Sequence, residues 1–232
     1  MRIFEAKSFV ECFRAASAYV LHSARRKSDM NEIQDIILKV SFSDEDAEEL
    51  ARFVEKVSSD DRFRFGLEKA TRAYVREVDS ITKPSYIGRL KDYCFIKPGS
   101  NDFAGIAQFD VLQRVVAETP QASNLVLAVH HPSDIEDGFR PGYVPCLSFI
   151  DVKYRHGSLS VKFFFRSCDF QEVLLYDLYF CIKIFEKIEA IFKENEKVVI
   201  EDRCAIFYFS RAFFYKRRSH LLQGVLDMAD VG

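Results

Sequence analysis

Between Cys146 and Glu194 three patterns follow one another and narrow the choice of fold. Cys146 to Tyr154 and Leu159 to Arg166 read as two strands, rich in β-branched and aromatic residues. They flank Arg155-His156-Gly157-Ser158, where Gly157 supplies the permissive position of a tight turn. A helix follows from about Leu174 to Glu194, and its first half, LLYDLYFCIKIF, is apolar nearly all round. Such a helix belongs in the interior. A hairpin feeding a buried helix predicts a mixed sheet with that helix packed against it.

The remaining elements fit this plan. Residues 5–26 read as a helix, with Phe9, Phe13, Ala16, Val20 and Ala24 on one face. Glu32 to Phe42 reads as a strand, and Ser43 caps a helix running to about Val57, with Asp44, Glu45 and Asp46 in its first turn. A second helix spans roughly Asp60 to Val78. Thr82 to Gly105, punctuated by Pro84, Gly88, Pro98, Gly99 and Gly105, reads as loops with short extended pieces. Phe109 to Ala117 is helical and stops at Pro120; Asn124 to His130 is a buried strand. Gly138 to Pro145 is a loop, Arg203 to Tyr215 a last strand or strand pair, and the end a short helix. The expectation is one α+β domain over 1–232. With 23 Phe and no Trp, its core is filled by rings that have no polar tip to satisfy.

Charge and hydropathy exclude several function classes. A net charge of −2 gives no global field for nucleic acid or acidic membrane. No apolar run approaches the ~18 residues of a membrane span, and Met1 to Arg14 mixes charges into its apolar residues unlike a secretory signal. A cytoplasmic location is the expectation. The six cysteines form no CxxC pair and no zinc spacing. The basic run Arg211 to Arg218 alternates its aromatics as a strand does, which makes a weak nucleic-acid patch. His130 and His131 have no third ligand in sight and read as a hydrogen-bonded loop.

Three features carry possible chemistry. Cys146 follows Pro145 at the mouth of a strand, as a nucleophile or as a small buried thiol. Arg166-Ser167-Cys168-Asp169 packs charge between an apolar strand and an apolar helix, as a site or as an ion pair with a helix cap. Asp177 lies inside the apolar helix, facing a polar ligand or a buried cation.

The order Pro-Cys, hairpin, Arg-Ser-Cys-Asp and a polar residue eight positions after that Asp resembles the thymidylate synthase family, most closely over 145–180. The resemblance implies that Cys146 is the nucleophile that adds to C6 of a pyrimidine. It implies that Arg166 and Ser167 hold the nucleotide phosphate, that Asp169 orients, and that the residue at 177 reads the base edge. Arg25 or Arg26 resembles a flexible phosphate-binding arginine, Tyr93 a tyrosine of the active-site wall, and Tyr215 a late tyrosine that touches the sugar. The one-carbon donor implied is 5,10-methylenetetrahydrofolate. The resemblance also implies a homodimer with sheets packed face to face and sites sharing residues across the interface.

Departures from the family pattern refine the expectation. The family places an Asn where Asp177 stands. A side-chain amide matches uracil, whereas a carboxyl group accepts from the amino group of cytosine, and burial favours the proton that completes the pair. The Asp is the mark of the cytidylate hydroxymethylases, and the missing Trp points the same way, to water capturing the adduct. Ser123 and Asn124 stand where the paired phosphate arginines belong; Leu147, Phe165 and Phe213 replace a His, a Gln and a His. Glu49 and Glu55 are candidates for the catalytic Glu, and Arg140, Arg217 or Arg218 for the lost phosphate donors. The leading expectation is transfer of a one-carbon unit to C5 of CMP or dCMP, giving a 5-hydroxymethyl product. The alternatives are a thymidylate synthase acting on dUMP and a nucleotide-binding protein that has lost catalysis.

Overall fold

The computed structural model describes residues 1–23, 25–27, 29–75, 85–96, 103–132, 134 and 145–229. In chain order they form β1 (Arg2–Ala6), α1 (Phe9–Ser23), β2 (Arg25–Lys27), β3 (Met30–Ser41), α2 (Asp44–Ser58), α3 (Arg64–Tyr74), α4 (Tyr86–Lys91), β4 (Tyr93–Ile96) and β5 (Phe103–Ile106). Then come α5 (Gln108–Glu118), β6 (Val126–Ala128), β7 (Leu147–Arg155), β8 (Ser158–Phe165), β9 (Cys168–Asp169), α6 (Leu174–Lys193), β10 (Asp202–Tyr215) and α7 (Ser219–Ala229). The main sheet runs β1-β3-β10-β8-β7-β6, with β2 paired to β3 and β9 to β10; β4 and β5 pair by themselves. It is mixed: β1 lies parallel to β3 and β8 parallel to β10, while β3–β10, β7–β8 and β6–β7 are antiparallel. The class is α+β, as expected.

Two expectations are corrected. The first helix does not begin at 5: Arg2–Ala6 is a strand on β3, and Ser8 starts α1 by accepting from the Val10 N–H at 3.2 Å. The stretch 82–105 is not all loop, because Ser85 accepts from the Gly88 N–H at 3.0 Å and caps α4. The Ser43 cap is reciprocal: its hydroxyl accepts from the Asp46 N–H, and the Asp46 carboxylate accepts from the Ser43 N–H. The β7–β8 turn places both His156 (φ 49) and Gly157 (φ 79) in the left-handed region, matching the right-handed twist of the two strands.

One sheet face is sealed by helices. Ile36, Leu38 and Val40 of β3, Phe163 and Phe165 of β8, and Phe207 and Phe209 of β10 are fully buried there. Phe163 stacks on Phe207 at 5.3 Å and Phe165 on Phe209 at 4.9 Å. Each ring contributes about 1.5–3 kcal/mol by leaving water. Helix α6 lies in the same core, with Phe185 against Phe42 at 5.0 Å. The other face is different. Across it runs a row of apolar residues, one per strand: Ile3, Ile37, Tyr208, Phe164, Phe149 and Ala128. Ile3 and Phe149 remain 47% and 37% exposed. The neighbouring row pairs Glu5 with Lys39 and Lys162 with Asp151.

Candidate active site

The site is built where β8 breaks. Phe165 pairs with Phe209 and Cys168 with Ala212, so β8 and β9 keep one register along β10 and only Arg166-Ser167 leave the ladder. The Arg166 N–H donates to the Cys146 carbonyl at 2.9 Å, and Arg166 Nε donates to the Pro145 carbonyl at 2.9 Å. These two bonds tie the Arg-Ser corner to the Pro-Cys corner. The Cys146 N–H donates to Tyr86 Oη at 2.9 Å, and Cys146 Sγ stands 3.7 Å from Ser167 Oγ. The backbone therefore fixes the thiol beside the hydroxyl.

Asp177 sits in the first turn of α6 and is buried. Cys168 Sγ donates to its Oδ2 at 3.3 Å, and the Tyr74 hydroxyl is a second donor. Tyr74 is held by stacking on Phe180 at 4.9 Å and by edge contact with Tyr86 at 4.6 Å. Burial pushes the carboxyl up to about 7; the two donors favour its charged form but do not offset the loss of water.

Asp169 Oδ1 accepts from the N–H groups of Gln171 and Glu172 at 3.1 and 3.3 Å, which turns the chain into α6. Burial, then the neighbouring Glu172, pushes its carboxyl up to about 6. Lys69 of α3 lies 3.8 Å from Asp169 Oδ2 and 3.1 Å from Glu172 Oε2, and Arg218 also pairs with Glu172. Partial burial works against the Lys69 ammonium, but Asp169 and Glu172 outweigh it and hold its pKa above the ordinary lysine value. Burial pushes the Cys146 thiol up and Asp177 adds to this, while Ser167, Arg166 and Lys69 favour the thiolate. The group at 146 is thus a protonated thiol with two cations in range.

The sequence-predicted residues divide into two sets. Cys146, Arg166, Ser167, Asp169 and Asp177 come together around the β8–β9 break, joined by Lys69 and Cys168, which sequence reasoning did not assign. No pattern in α3 marks Lys69, since only the tertiary packing of α3 on α6 turns it toward the 169–172 turn. The Tyr93 hydroxyl donates to the His130 carbonyl at 2.9 Å and its ring is 5.6 Å from His131. Tyr215 is half-exposed, its N–H on Gln171 Oε1 at 3.2 Å and its ring 5.9 Å from Phe213. Arg25 and Arg26 belong to β2 opposite Glu32 and Asn31, and the Lys216 N–H donates to the Asp29 carbonyl in the same hairpin. That bond and the pairing of Met30 with Tyr215 set Asp29 beside Tyr215. Glu49 accepts from Ser8 at the start of α1. Arg140 lies outside the described residues.

Beyond the corner, Arg89 and Asp134 form a buried two-bond pair at 2.6 and 2.9 Å, and Gln108 clips the Arg89 and Ala128 carbonyls. Among the described residues, no group of three or more His, Cys, Asp or Glu is gathered as for a metal, and no helix is long and apolar enough to cross a membrane. No protein-family model matches the chain, and no curated protein matches it either.

Proposed function

We propose that the chain is a thymidylate synthase-like single domain that transfers a one-carbon unit to C5 of a cytidine 5′-monophosphate and yields a 5-hydroxymethyl product. The observation that carries the reading is the convergence of a thiol, a hydroxyl, two cations and a protonatable buried carboxyl on one strand break. C5 of a pyrimidine is a poor nucleophile. Addition of Cys146 sulfur to C6 moves the C5–C6 π pair onto C5, which then attacks a one-carbon electrophile; loss of the C5 proton, addition of water to the resulting exocyclic methylene and expulsion of the sulfur from C6 give the 5-hydroxymethyl product. Arg166 and Lys69 stabilise the thiolate that this needs. Asp177 meets the cytosine edge: its carboxyl oxygen accepts from the exocyclic amine, and its proton, retained up to about pH 7, completes the pair at N3. The amine takes the place of the Cys168 thiol on Oδ2, one donor for a weaker one.

The implied one-carbon donor is 5,10-methylenetetrahydrofolate, which supplies the methylene carbon when bound. A cavity of about 270 Å³ lies behind the 170–176 turn. Phe63, Phe65, Phe170, Leu175 and Tyr176 line it together with Arg62 and Arg218. Flat apolar walls with cations match the rings and the carboxylate tail of a folate. The working unit is a homodimer, and the apolar row across the sheet face that no described helix covers supports it: six strands offer apolar side chains in line, flanked by charge pairs of both signs.

A second reading is favoured by one observation. The thiol is raised rather than lowered in pKa, by burial and by Asp177, as in a protein that binds nucleotide without turning it over. Tritium release from C5-labelled CMP, dCMP and dUMP, with and without the folate, separates these. Release from the cytosine nucleotides alone is expected. Release from dUMP alone identifies a thymidylate synthase, and silence on all three with nucleotide bound by calorimetry identifies a binding protein.

A further inference from the structure

Helix α3 lies close against the start of α6 at Gly66, where a Cβ would stand 2.1 Å from the Glu172 carbonyl oxygen. About two turns further along α3, this close approach carries Tyr74 to Asp177. The Tyr74 ring is fully buried, stacked on Phe180 and edge-on to Tyr86, so the position of its hydroxyl is set. The hydroxyl bonds the Asp177 carboxyl and lies 3.5 Å from Cys181 Sγ. Cys168 is held on β9 by its pairing with Ala212, and its thiol donates to Asp177 Oδ2 at 3.3 Å. Burial, then Asp177, keeps Cys168 protonated and therefore a donor. The carboxyl that reads the base is thus held by two fixed donors from two different elements.

We propose that Cys168 and Tyr74 are positioning residues for base choice: they set which oxygen of Asp177 carries the proton, and so make the carboxyl take cytosine and refuse uracil. The inference rests on the cytidine reading and names what enforces it. A neutral carboxyl is two-faced. With the proton on one oxygen, the O–H donates to cytosine N3 and the other oxygen accepts from the amine. With the proton on the other oxygen, the same group accepts from uracil N3–H and donates to O4. A buried, protonated Asp177 therefore does not discriminate by itself. The ribose on N1 and the Cys146 sulfur on C6 fix how the ring faces, so the choice falls to the oxygen that holds the proton. A carbonyl oxygen accepts better than a hydroxyl oxygen, and the Cys168 thiol on Oδ2 favours the form protonated on Oδ1. The amine then inherits Oδ2, and N3 meets the Oδ1 proton. Uracil in the same orientation sets N3–H against that proton and O4 against Oδ2. Tyr74 adds the second anchor, which holds the carboxyl against the rotation that would exchange its oxygens.

The groups facing this carboxyl are Cys168 and Asp169 from β9, Tyr74 and Lys69 from α3, Cys146 from the start of β7, and Cys181 from α6 itself. Burial favours the neutral acid most, and Asp169 adds to it; Cys168, Tyr74 and Lys69 favour the charged form. Burial also pushes the Cys146 and Cys181 thiols up, so neither sets a charge against Asp177. Removing a donor therefore raises the pH at which Asp177 releases its proton. Each donor leaves two signatures: the midpoint of the carboxyl titration, and the ratio of cytosine to uracil affinity. A side chain that only filled space would move neither.

Carbon-13 NMR of the full chain labelled at its aspartate carboxyls reads the first signature, with the Asp177 signal assigned by its loss in Asp177→Asn. The midpoint is expected at about 7 in the wild type. It is expected to rise by about half a unit or more in Cys168→Ala and in Tyr74→Phe. Cys168→Ser, whose hydroxyl donates in the thiol's place, is expected to bring it back to the wild-type value or below. Calorimetry at pH 6 with CMP and UMP, which differ only in the base, reads the second signature. The wild type is expected to favour CMP by about tenfold or more, and Cys168→Ser to keep that preference. Cys168→Ala and Tyr74→Phe are expected to bring the two affinities within about threefold, by gaining UMP. A midpoint unmoved in folded Cys168→Ala and Tyr74→Phe proteins overturns the inference. So does a CMP preference that stays at its wild-type value in both variants, an outcome that leaves the cytidine reading standing. A wild type that binds neither nucleotide removes the cytidine reading, and the base-choice inference falls with it.

Discussion

Replacing Asp177 by Asn tests the electrostatics of the buried helix directly. The carboxyl is lifted from 3.8 to about 7 by burial. Between those values the folded chain holds a proton that the unfolded chain has released, so stability falls as pH rises through this window and is flat above it. At 1.36 kcal/mol per pH unit, the loss from pH 4.5 to 8 is about 3 kcal/mol. The amide cannot ionise, and it can still accept from Cys168 and Tyr74. Urea unfolding at a series of pH values, followed by far-ultraviolet circular dichroism since the chain has no Trp, reads the difference. The wild type is expected to lose about 3 kcal/mol more than the Asn variant over that range. Asp169, lifted to about 6 for the same reason, leaves a smaller slope in both proteins. Equal slopes would refute the reasoning, because they would mean that Asp177 ionises as easily in the fold as in water.

Other outcomes follow from the same geometry. Cys146→Ala is expected to abolish C5 exchange while leaving the fold and nucleotide binding intact, measured by tritium release and calorimetry. Lys69→Met removes a cation that favours the Cys146 thiolate and the Asp169 carboxylate; the thiol-dependent limb of the exchange rate is expected to move up by about one pH unit. Gly157→Ala places a Cβ 2.9 Å from the Glu201 carboxylate at φ +79, and a loss of about 1–2 kcal/mol in urea unfolding is expected. Phe164→Lys puts a charge into the apolar row of the sheet face that no described helix covers, and sedimentation is expected to show the proposed dimer replaced by a folded monomer.

Much of the fold is legible because period and punctuation agree. The strand at 30–41, the Ser43 cap, the His156-Gly157 turn and the all-apolar start of α6 each carry a local signal that tertiary packing does not override. The misses have physical causes. β1 lies at an exposed edge and carries no buried alternation; the Ser8-Phe9-Val10-Glu11 cap beside it was the available signal. α4 is six residues long and contains Gly88, so periodicity has nothing to work on. Within the site, the grouping of Cys146, Arg166, Ser167, Asp169 and Asp177 was an expectation of the family resemblance over 145–180, since each residue taken alone also fits a structural role. Lys69 and Tyr74 carry no local signal, because their roles arise only when α3 and α6 pack around the strand break.

Mass mapping of a trapped adduct tests the central claim most directly. Fluorine at C5 cannot leave as a cation, so 5-fluoro-CMP with methylenetetrahydrofolate stalls after the sulfur has added and the one-carbon unit has joined. The account predicts one covalent ternary adduct per chain on the peptide carrying Cys146, formed with the cytosine analogue and lost in Cys146→Ala. An unmodified Cys146 in a protein that binds the analogue, or the adduct on any other cysteine, would contradict it.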